Sequence, residues 1–180
     1  GGATIDITDQ RTAELALRES QSRYQSLFDS IDAGFCIIEM KFDEAGAPID
    51  YRFLEINPAF ERQTGLSDAQ GKWMRDIAPE HEQHWFDLYG RVARTGEAAR
   101  FENEAAALGR WFDVHAFRTG QPEENRVAVL FNDISETKVA EAALRASEAQ
   151  FRTLAEAMPN HVWTSPTSGL LDWFNDRVYA

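Results

Sequence analysis

The chain reads Phe53-Leu54-Glu55-Ile56-Asn57-Pro58-Ala59-Phe60, with Thr64-Gly65 close behind. A β-strand is predicted from about Tyr51, two residues before this stretch, to Ile56. Asn57-Pro58 has the chemistry of a helix start, because an asparagine side chain can cap free amides and a proline at the first helical position loses no hydrogen bond. The helix is expected to end near Gly65. This stretch therefore predicts a strand that passes directly into a short helix.

One further strand is predicted before this stretch, and helices are predicted after it. From Phe35 to Phe42 the sequence alternates, which puts Cys36, Ile38, Met40 and Phe42 on one face of a strand. Short helical turns are expected around Asp68 to Ile77, and helical spacing within Glu80 to Thr95 predicts a longer helix. The first half of this region therefore predicts two strands followed by a helical block.

Three strands are predicted to complete the domain, at Arg100 to Leu108, Arg110 to Arg118 and Arg126 to Ile134, with turns at Gly109 and at 119–122. The last strand is apolar on both faces, so its sheet is expected to be covered on both sides. The helical block is expected to cover one side. An amphipathic flanking helix, from this chain or from a dimer partner, is expected to cover the other.

A long internal repeat frames this domain. Residues 6–28 align without gaps on residues 133–155, an offset of 127, and nine of the 23 aligned pairs are identical. A period of this length indicates repeated domains whose junctions are copied. We therefore predict that 1–8 is the tail of a preceding domain, 9–33 a linker helix, 34–135 one complete domain, 136–158 a second linker helix, and 159–180 the truncated start of a following domain.

Both junctions carry an a/d heptad pattern, which predicts amphipathic helices. The first is expected to stop at Gly34 and the second before Pro159. Two interpretations remain open: each helix packs on its own domain, or each forms a parallel coiled coil in a homodimer. The heptad positions are Ala13, Leu17, Ser20, Tyr24, Leu27 and Ile31 in the first copy, and Ala140, Leu144, Ser147, Phe151, Leu154 and Met158 in the second.

Residues 24–136 resemble the PAS domains of bacterial sensor histidine kinases and related signalling proteins. The resemblance is carried by the stretch 53–60 with Thr64-Gly65, by Thr95-Gly96-Glu97, by residues 110–114 and by residues 131–136. It implies an α+β PAS fold, in which a five-stranded antiparallel sheet has a helical insertion between strands 2 and 3 and long amphipathic linker helices flank the domain. Trp163-Thr164 and Trp173-Phe174-Asn175 resemble the opening of another PAS domain.

The same resemblance implies a function in signal transduction. The chain is expected to be a sensory module of a cytoplasmic sensor histidine kinase in a two-component system, with adjacent PAS and kinase domains as its partners. Asp133-Ile134-Ser135 resembles the Asp-Ile-Thr element that precedes the output helix of PAS domains. An acidic side chain there can cap the helix or pair with a basic residue of the core, so these three residues are the predicted signal-coupling site.

Aromatic residues are candidates to line an internal pocket, although plain core packing is the favoured interpretation. No cofactor is expected, and an unknown small ligand in such a pocket is the alternative. A haem bound through His84 is a further alternative. Cys36 is interpreted as a buried hydrophobe, and no metal site is predicted. The tentative pocket residues are Phe35, Phe53, Asn57, Phe60, Trp73, Trp85, Tyr89, Phe101, Phe112 and Phe117.

Composition narrows the function classes further. A net charge of −12 disfavours a nucleic-acid partner, and no apolar run is long enough for a membrane span. The sequence lacks a phospho-acceptor motif, a glycine-rich ATP site and a cyclase signature, so no catalytic activity is expected of it. The alternative to a sensor is a ligand-free structural spacer and dimerisation module.

Overall fold

The structure, a computed structural model, describes residues 7–158, 163–164 and 173–174. The chain divides into two units, Gly1–Ile134 and Ser135–Ala180. The predicted domain tail before residue 7 lies outside the described residues. None of the helices in the described ranges combines the length and apolar character needed to cross a membrane.

The strand-to-helix passage around Asn57 is confirmed. Strand β2 covers Pro48–Ile56 and helix α2 covers Pro58–Thr64. The Asn57 side chain accepts a hydrogen bond from the Phe60 amide at 2.9 Å, which caps α2. Gly65 ends the helix with φ of 75°, a left-handed conformation that suits glycine.

The first unit contains one antiparallel sheet of five strands. Strand β1 covers Gly34–Phe42, β3 Ala99–Ala105, β4 Arg110–Thr119 and β5 Arg126–Asp133. Their order across the sheet is β2-β1-β5-β4-β3, so the last strand lies at the centre. On its inward face Val127, Val129 and Phe131 are buried, and Ala128 is buried on the opposite face.

The third strand is shorter than predicted. It stops at Ala105, and Ala106–Leu108 forms a 3₁₀ turn before Gly109. The Ala106 amide donates to the Glu82 carboxylate at 2.6 Å, so it is withdrawn from strand pairing. The predicted strand end at Leu108 is therefore wrong.

The helical insertion covers one face of the sheet, as predicted. It comprises α2, α3 over Met74–Ile77 and α4 over Gln83–Thr95. Burial of apolar surface between these helices and the sheet is the main source of stability for a domain of this size. The core joins the inward faces of the sheet and α4, with Cys36, Ile38, Met40, Val114, Val127, Val129, Trp85, Phe86 and Tyr89 all buried.

Helix α1 covers Ile7–Ser30, so it ends before the predicted stop at Gly34. Gly34 instead opens β1, where a Cβ atom would lie 2.3 Å from the Phe131 ring. Close approach of the ring, and not a left-handed helix end, is therefore what requires glycine at this position. Near its end α1 contacts the domain through Phe28, whose ring packs edge-on against Phe35 with centroids 5.3 Å apart.

The heptad face of α1 is largely exposed, although the Tyr24 hydroxyl donates to Glu55 of β2 at 3.2 Å. Leu17 is 59% exposed, and Leu27 is 61% exposed. Ile31 lies just beyond the helix end, which shortens the predicted row by one position. On the outer face of the sheet Leu130 is half-buried and Phe117 is exposed, so α1 does not provide the predicted second cover. The remaining predicted positions Ala13, Ser20 and Tyr24 are exposed on α1.

The second unit contains helix α5 over Ser135–Ala157 and a short antiparallel pair, β6 over Trp163–Thr164 and β7 over Trp173–Phe174. The prediction that both repeat copies are helical is thus confirmed. The rest of the predicted second PAS opening, Asn175 included, lies outside the described residues. The apolar heptad positions of this copy, Leu144, Phe151, Leu154 and Met158, are all exposed, and Met158 follows the helix end.

Candidate functional site

A small internal cavity lies between the helical insertion and the sheet. Its volume is about 50 Å³, and its wall is mostly apolar and aromatic. A space of this size suits one or a few water molecules. Four predicted pocket residues line it, Phe53, Trp85, Tyr89 and Phe112, together with Tyr51 and His81, neither of which was among the predicted pocket residues.

Three of the other predicted pocket residues are buried or partly buried close by. The Phe60 ring packs in the core 5.0 Å from Phe53, and the partly buried Phe101 packs 5.7 Å from Trp85. Asn57 is buried as the cap of α2. These side chains support the cavity wall without lining it.

Three predicted pocket residues lie away from the cavity. Phe35 packs on Phe28, on the strand face opposite the core. Trp73 packs between cationic groups, with Lys41 Nζ 5.1 Å and the Arg52 guanidinium 5.4 Å from its ring. Phe117 is 37% exposed beside His115. Strand alternation separates Phe35 and Phe117 from the cavity, because successive side chains point to opposite faces.

The histidine of the cavity is His81, not His84. His81 is buried, with its Nε2 atom 3.2 Å from the Tyr51 hydroxyl and its ring stacked on Trp85 at a centroid distance of 5.8 Å. His81 precedes α4, which begins at Gln83, so His81 and His84 do not share a helical face. Burial lowers the pKa of His81 to about 4, so its imidazole is neutral near pH 7.

Two polar atoms of the cavity-lining side chains lack a hydrogen-bond partner within the described part of the chain. They are Trp85 Nε1 and His81 Nδ1, both buried. His81 Nδ1 lies 3.5 Å from Glu82 Oε2, which is longer than a good hydrogen bond. The indole N–H can only donate, so it offers a site for an oxygen acceptor such as water.

The haem alternative does not fit this arrangement. His84 does not line the cavity, which is far smaller than a haem macrocycle. For a metal ion bound by protein side chains alone, no group of three or more His, Cys, Asp or Glu residues is found among the described residues. Cys36 is buried, and burial raises the pKa of its thiol far above the usual range.

The predicted coupling residues lie at the end of β5. The Asp133 carboxylate pairs with Arg110, with Nη1 and Oδ2 2.8 Å apart. The Ile134 amide donates to the Trp111 carbonyl at 2.8 Å, and Ser135 begins α5. Arg110 was not predicted individually, although a basic partner from the core was. It opens β4, which lies beside β5 in the sheet.

Residues 22–98 match the family model described as "PAS domain". The central domain is a PAS domain. The match begins within α1 and stops directly before β3. Strands β3, β4 and β5 then complete the five-stranded antiparallel sheet of the PAS fold, with the helical insertion between strands 2 and 3.

A relative with a similar sequence is the uncharacterized protein y4lL of Sinorhizobium fredii. It is 27% identical over 177 residues, which cover 94% of this chain and 20% of that protein. The chain therefore spans about a fifth of the length of this relative.

Solved structures of PAS and light-oxygen-voltage proteins are also similar. The PAS domain of an HTR-like protein from Haloarcula marismortui is 19% identical with a TM-score of 0.49, covering 69% of this chain and 99% of that one. A sensory box sensor histidine kinase from Vibrio cholerae is 14% identical with a TM-score of 0.42, covering 68% and 98%. A LOV protein of Rhodobacter sphaeroides is 16% identical with a TM-score of 0.44, covering 64% and 67%. These similarities are too low to carry a function over to this PAS domain.

Proposed function

We propose that this chain is a sensory and signal-transmitting PAS module of a cytoplasmic sensor histidine kinase, without catalytic activity of its own. In this proposal the PAS core biases the position of Asp133. Helices α1 and α5 then carry the change, as coiled coils of a homodimer, to neighbouring PAS and kinase domains. The observation that supports the proposal best is the Arg110–Asp133 ion pair, which stands where the sheet ends and α5 begins.

The ion pair connects Asp133 to the helical insertion. Besides the carboxylate, Arg110 Nη1 also donates to the backbone carbonyl of Gln63 in the last turn of α2. A rearrangement of the helical insertion therefore changes which acceptors the Arg110 guanidinium can hydrogen-bond. The Arg110 and Asp133 side chains are 33% and 24% exposed, so the pair contributes about 1 kcal/mol. A difference of this size between two states shifts their ratio about fivefold.

We expect Asp133→Asn to change the output of an attached kinase about fivefold, because the substitution removes the charge that Arg110 holds. The test fuses residues 1–157, which end with α5, to the catalytic region of a histidine kinase in the heptad register of α5, and measures autophosphorylation. Arg110→Met is expected to give the same change. The double variant should differ little from either single variant, because all three lack the same pair.

The matched control is Asp113→Asn. Asp113 lies opposite Asn132 in the sheet, but its ion pair runs to Arg100 on β3 at 3.0 Å and does not include Asp133. This substitution should leave autophosphorylation unchanged. If autophosphorylation is the same in the Asp133 variant, the Asp113 variant and the parent fusion, Asp133 has no coupling role.

The second candidate function is a ligand-free spacer and dimerisation module. It is favoured by the small volume of the cavity and by the exposed heptad faces, on which Leu17 is 59% and Leu144 is 62% exposed. Both candidate functions require a homodimer. They differ in whether the PAS core has to respond to a stimulus. A spacer needs no occupant, whereas a sensor needs one state to be favoured by a stimulus.

Native mass spectrometry of the purified chain addresses both candidates. We expect a homodimer, because the exposed heptad rows bury apolar surface only when a partner covers them. Leu17→Glu combined with Leu144→Glu should give a monomer, and Glu44→Gln, in the turn after β1, should not. A monomeric parent chain would contradict the coiled-coil part of the proposal. A retained small-molecule mass would favour the sensor over the spacer.

A further inference from the structure

Gln63, in the last turn of α2, connects two distant points of the chain. Its Nε2 atom donates to the Asp32 carbonyl at 2.7 Å. Its Oε1 atom accepts from the Asp133 amide at 2.9 Å. Asp32 follows the end of α1, and Asp133 precedes the start of α5. One side-chain amide therefore bridges the exit of one linker helix and the entrance of the other.

Helix α2 holds Gln63 in a fixed frame. At its first turn, Asn57 accepts from the Phe35 amide at 2.9 Å and donates to the Ala33 carbonyl at 3.0 Å. At its last turn, the Gln63 carbonyl accepts from Arg110. Both ends of α2 are therefore hydrogen-bonded to residues at the junctions. If Gln63 moves with Asp32, its hydrogen bond to the Asp133 amide must move as well.

Another route between the two junctions also exists. Strands β1 and β5 pair directly, with Gly34 opposite Phe131. This ladder ends before Asp133, whose own neighbour on the other side is Phe112 of β4. Among these contacts, the Gln63 amide is the one that reaches both Asp32 and Asp133.

We propose that Gln63 is the positioning residue that couples the two linker junctions, so that a displacement at Asp32 is transmitted to Asp133. The purpose of this coupling rests on the proposed signalling function. The coupling itself is a property of the folded domain. It can therefore be measured on the purified chain without any kinase output.

The experiment perturbs one junction and observes the other by amide hydrogen exchange in the complete 180-residue chain. Phe28→Ala removes the contact of α1 with Phe35 and perturbs the first junction. We expect it to speed exchange of the Asp133 amide at least threefold. Gln63→Met removes both side-chain hydrogen bonds and should by itself speed that exchange about fivefold, the effect of one ordinary hydrogen bond. In the Gln63→Met background, Phe28→Ala should have no further effect at Asp133.

Two further variants sharpen the result. Gln70→Met is the matched control, because the Gln70 amide makes one hydrogen bond, to the Leu54 carbonyl at 3.0 Å, away from both junctions. It should leave the response of Asp133 to Phe28→Ala intact. Gln63→Glu keeps an acceptor for the Asp133 amide but loses the donor to Asp32. It should therefore preserve slow exchange at Asp133 while abolishing the response to Phe28→Ala.

Two outcomes overturn the inference. If Phe28→Ala speeds Asp133 exchange by the same factor with and without Gln63, the β1–β5 ladder carries the coupling. If Phe28→Ala has no effect at Asp133 in the parent chain, the junctions are not coupled. Neither outcome bears on whether Asp133 controls a kinase, so this inference can fail while the proposed function stands.

Discussion

Replacing Asn57 with alanine should lower the free energy of unfolding by about 3 kcal/mol, because a polar hub that is only 1% exposed is lost. Its Oδ1 atom accepts from the amides of Phe35 and Phe60, both at 2.9 Å. Its Nδ2 atom donates to the Ala33 carbonyl at 3.0 Å. Alanine leaves the Phe35 amide and the Ala33 carbonyl without this partner. It also removes the side-chain cap of α2, so that the Phe60 amide keeps only its bond to the backbone carbonyl of residue 57 at 3.0 Å. Urea unfolding measures the loss, which corresponds to a melting temperature lower by roughly 10 °C.

Two comparisons isolate the cause. Asn103→Ala removes a side chain whose hydrogen bond is local, accepted from the neighbouring Glu104 amide at 3.1 Å, and should cost less than about 0.5 kcal/mol. Asn57→Asp keeps the acceptor and loses the donor, so its loss should be intermediate. A loss for Asn57→Ala no larger than for Asn103→Ala would contradict the role assigned to this hub.

Acidification should destabilise the domain through His81. The pKa of His81 is lowered to about 4 in the fold, chiefly by burial, with His84 and Arg75 adding to the effect and Glu82 opposing it. The unfolded chain takes up this proton near the ordinary pKa of about 6.5. Stability is therefore complete above about pH 6.5 and is lost as the pH falls toward 4, because the unfolded state binds the proton first. At about 1.4 kcal/mol per pH unit, the loss is about 3 kcal/mol.

The measurement is urea unfolding at pH 7 and pH 4 for the parent chain and for His81→Gln. Carboxylates also titrate in this range, so the informative quantity is the difference between the two pH dependences. The variant should lose about 3 kcal/mol less than the parent on acidification. His115→Gln, on the exposed outer face of β4, should keep the parental pH dependence. Parallel curves for the parent and His81→Gln would show that His81 does not carry the effect.

The local parts of the fold could be predicted because their causes lie within a few residues. Asn57-Pro58 starts a helix and Gly65 ends it through capping and backbone conformation, and both were placed correctly. The repeat likewise predicted two helices, because heptad spacing is a property of the local sequence. Cys36, Ile38 and Met40 were assigned to one buried strand face by alternation alone.

The site depended on contacts between residues far apart in the chain. His84 was the predicted haem candidate, but the turn before α4 brings His81, and not His84, to Tyr51, which is 30 residues away. Arg110 meets Asp133 because β4 lies beside β5 in the sheet.

The sequence alone thus indicated the PAS fold through its resemblance to that family. It also determined the cap at Asn57 and the helical character of both junctions, because short-range geometry controls these two features. Only the tertiary structure decided that Gly34 is required by the Phe131 ring, that Phe35 and Phe117 lie away from the cavity, and that Gln63 spans Asp32 and Asp133. The reason is physical. Each of these features depends on which strands pair and which faces meet, and this is set by packing across the whole domain.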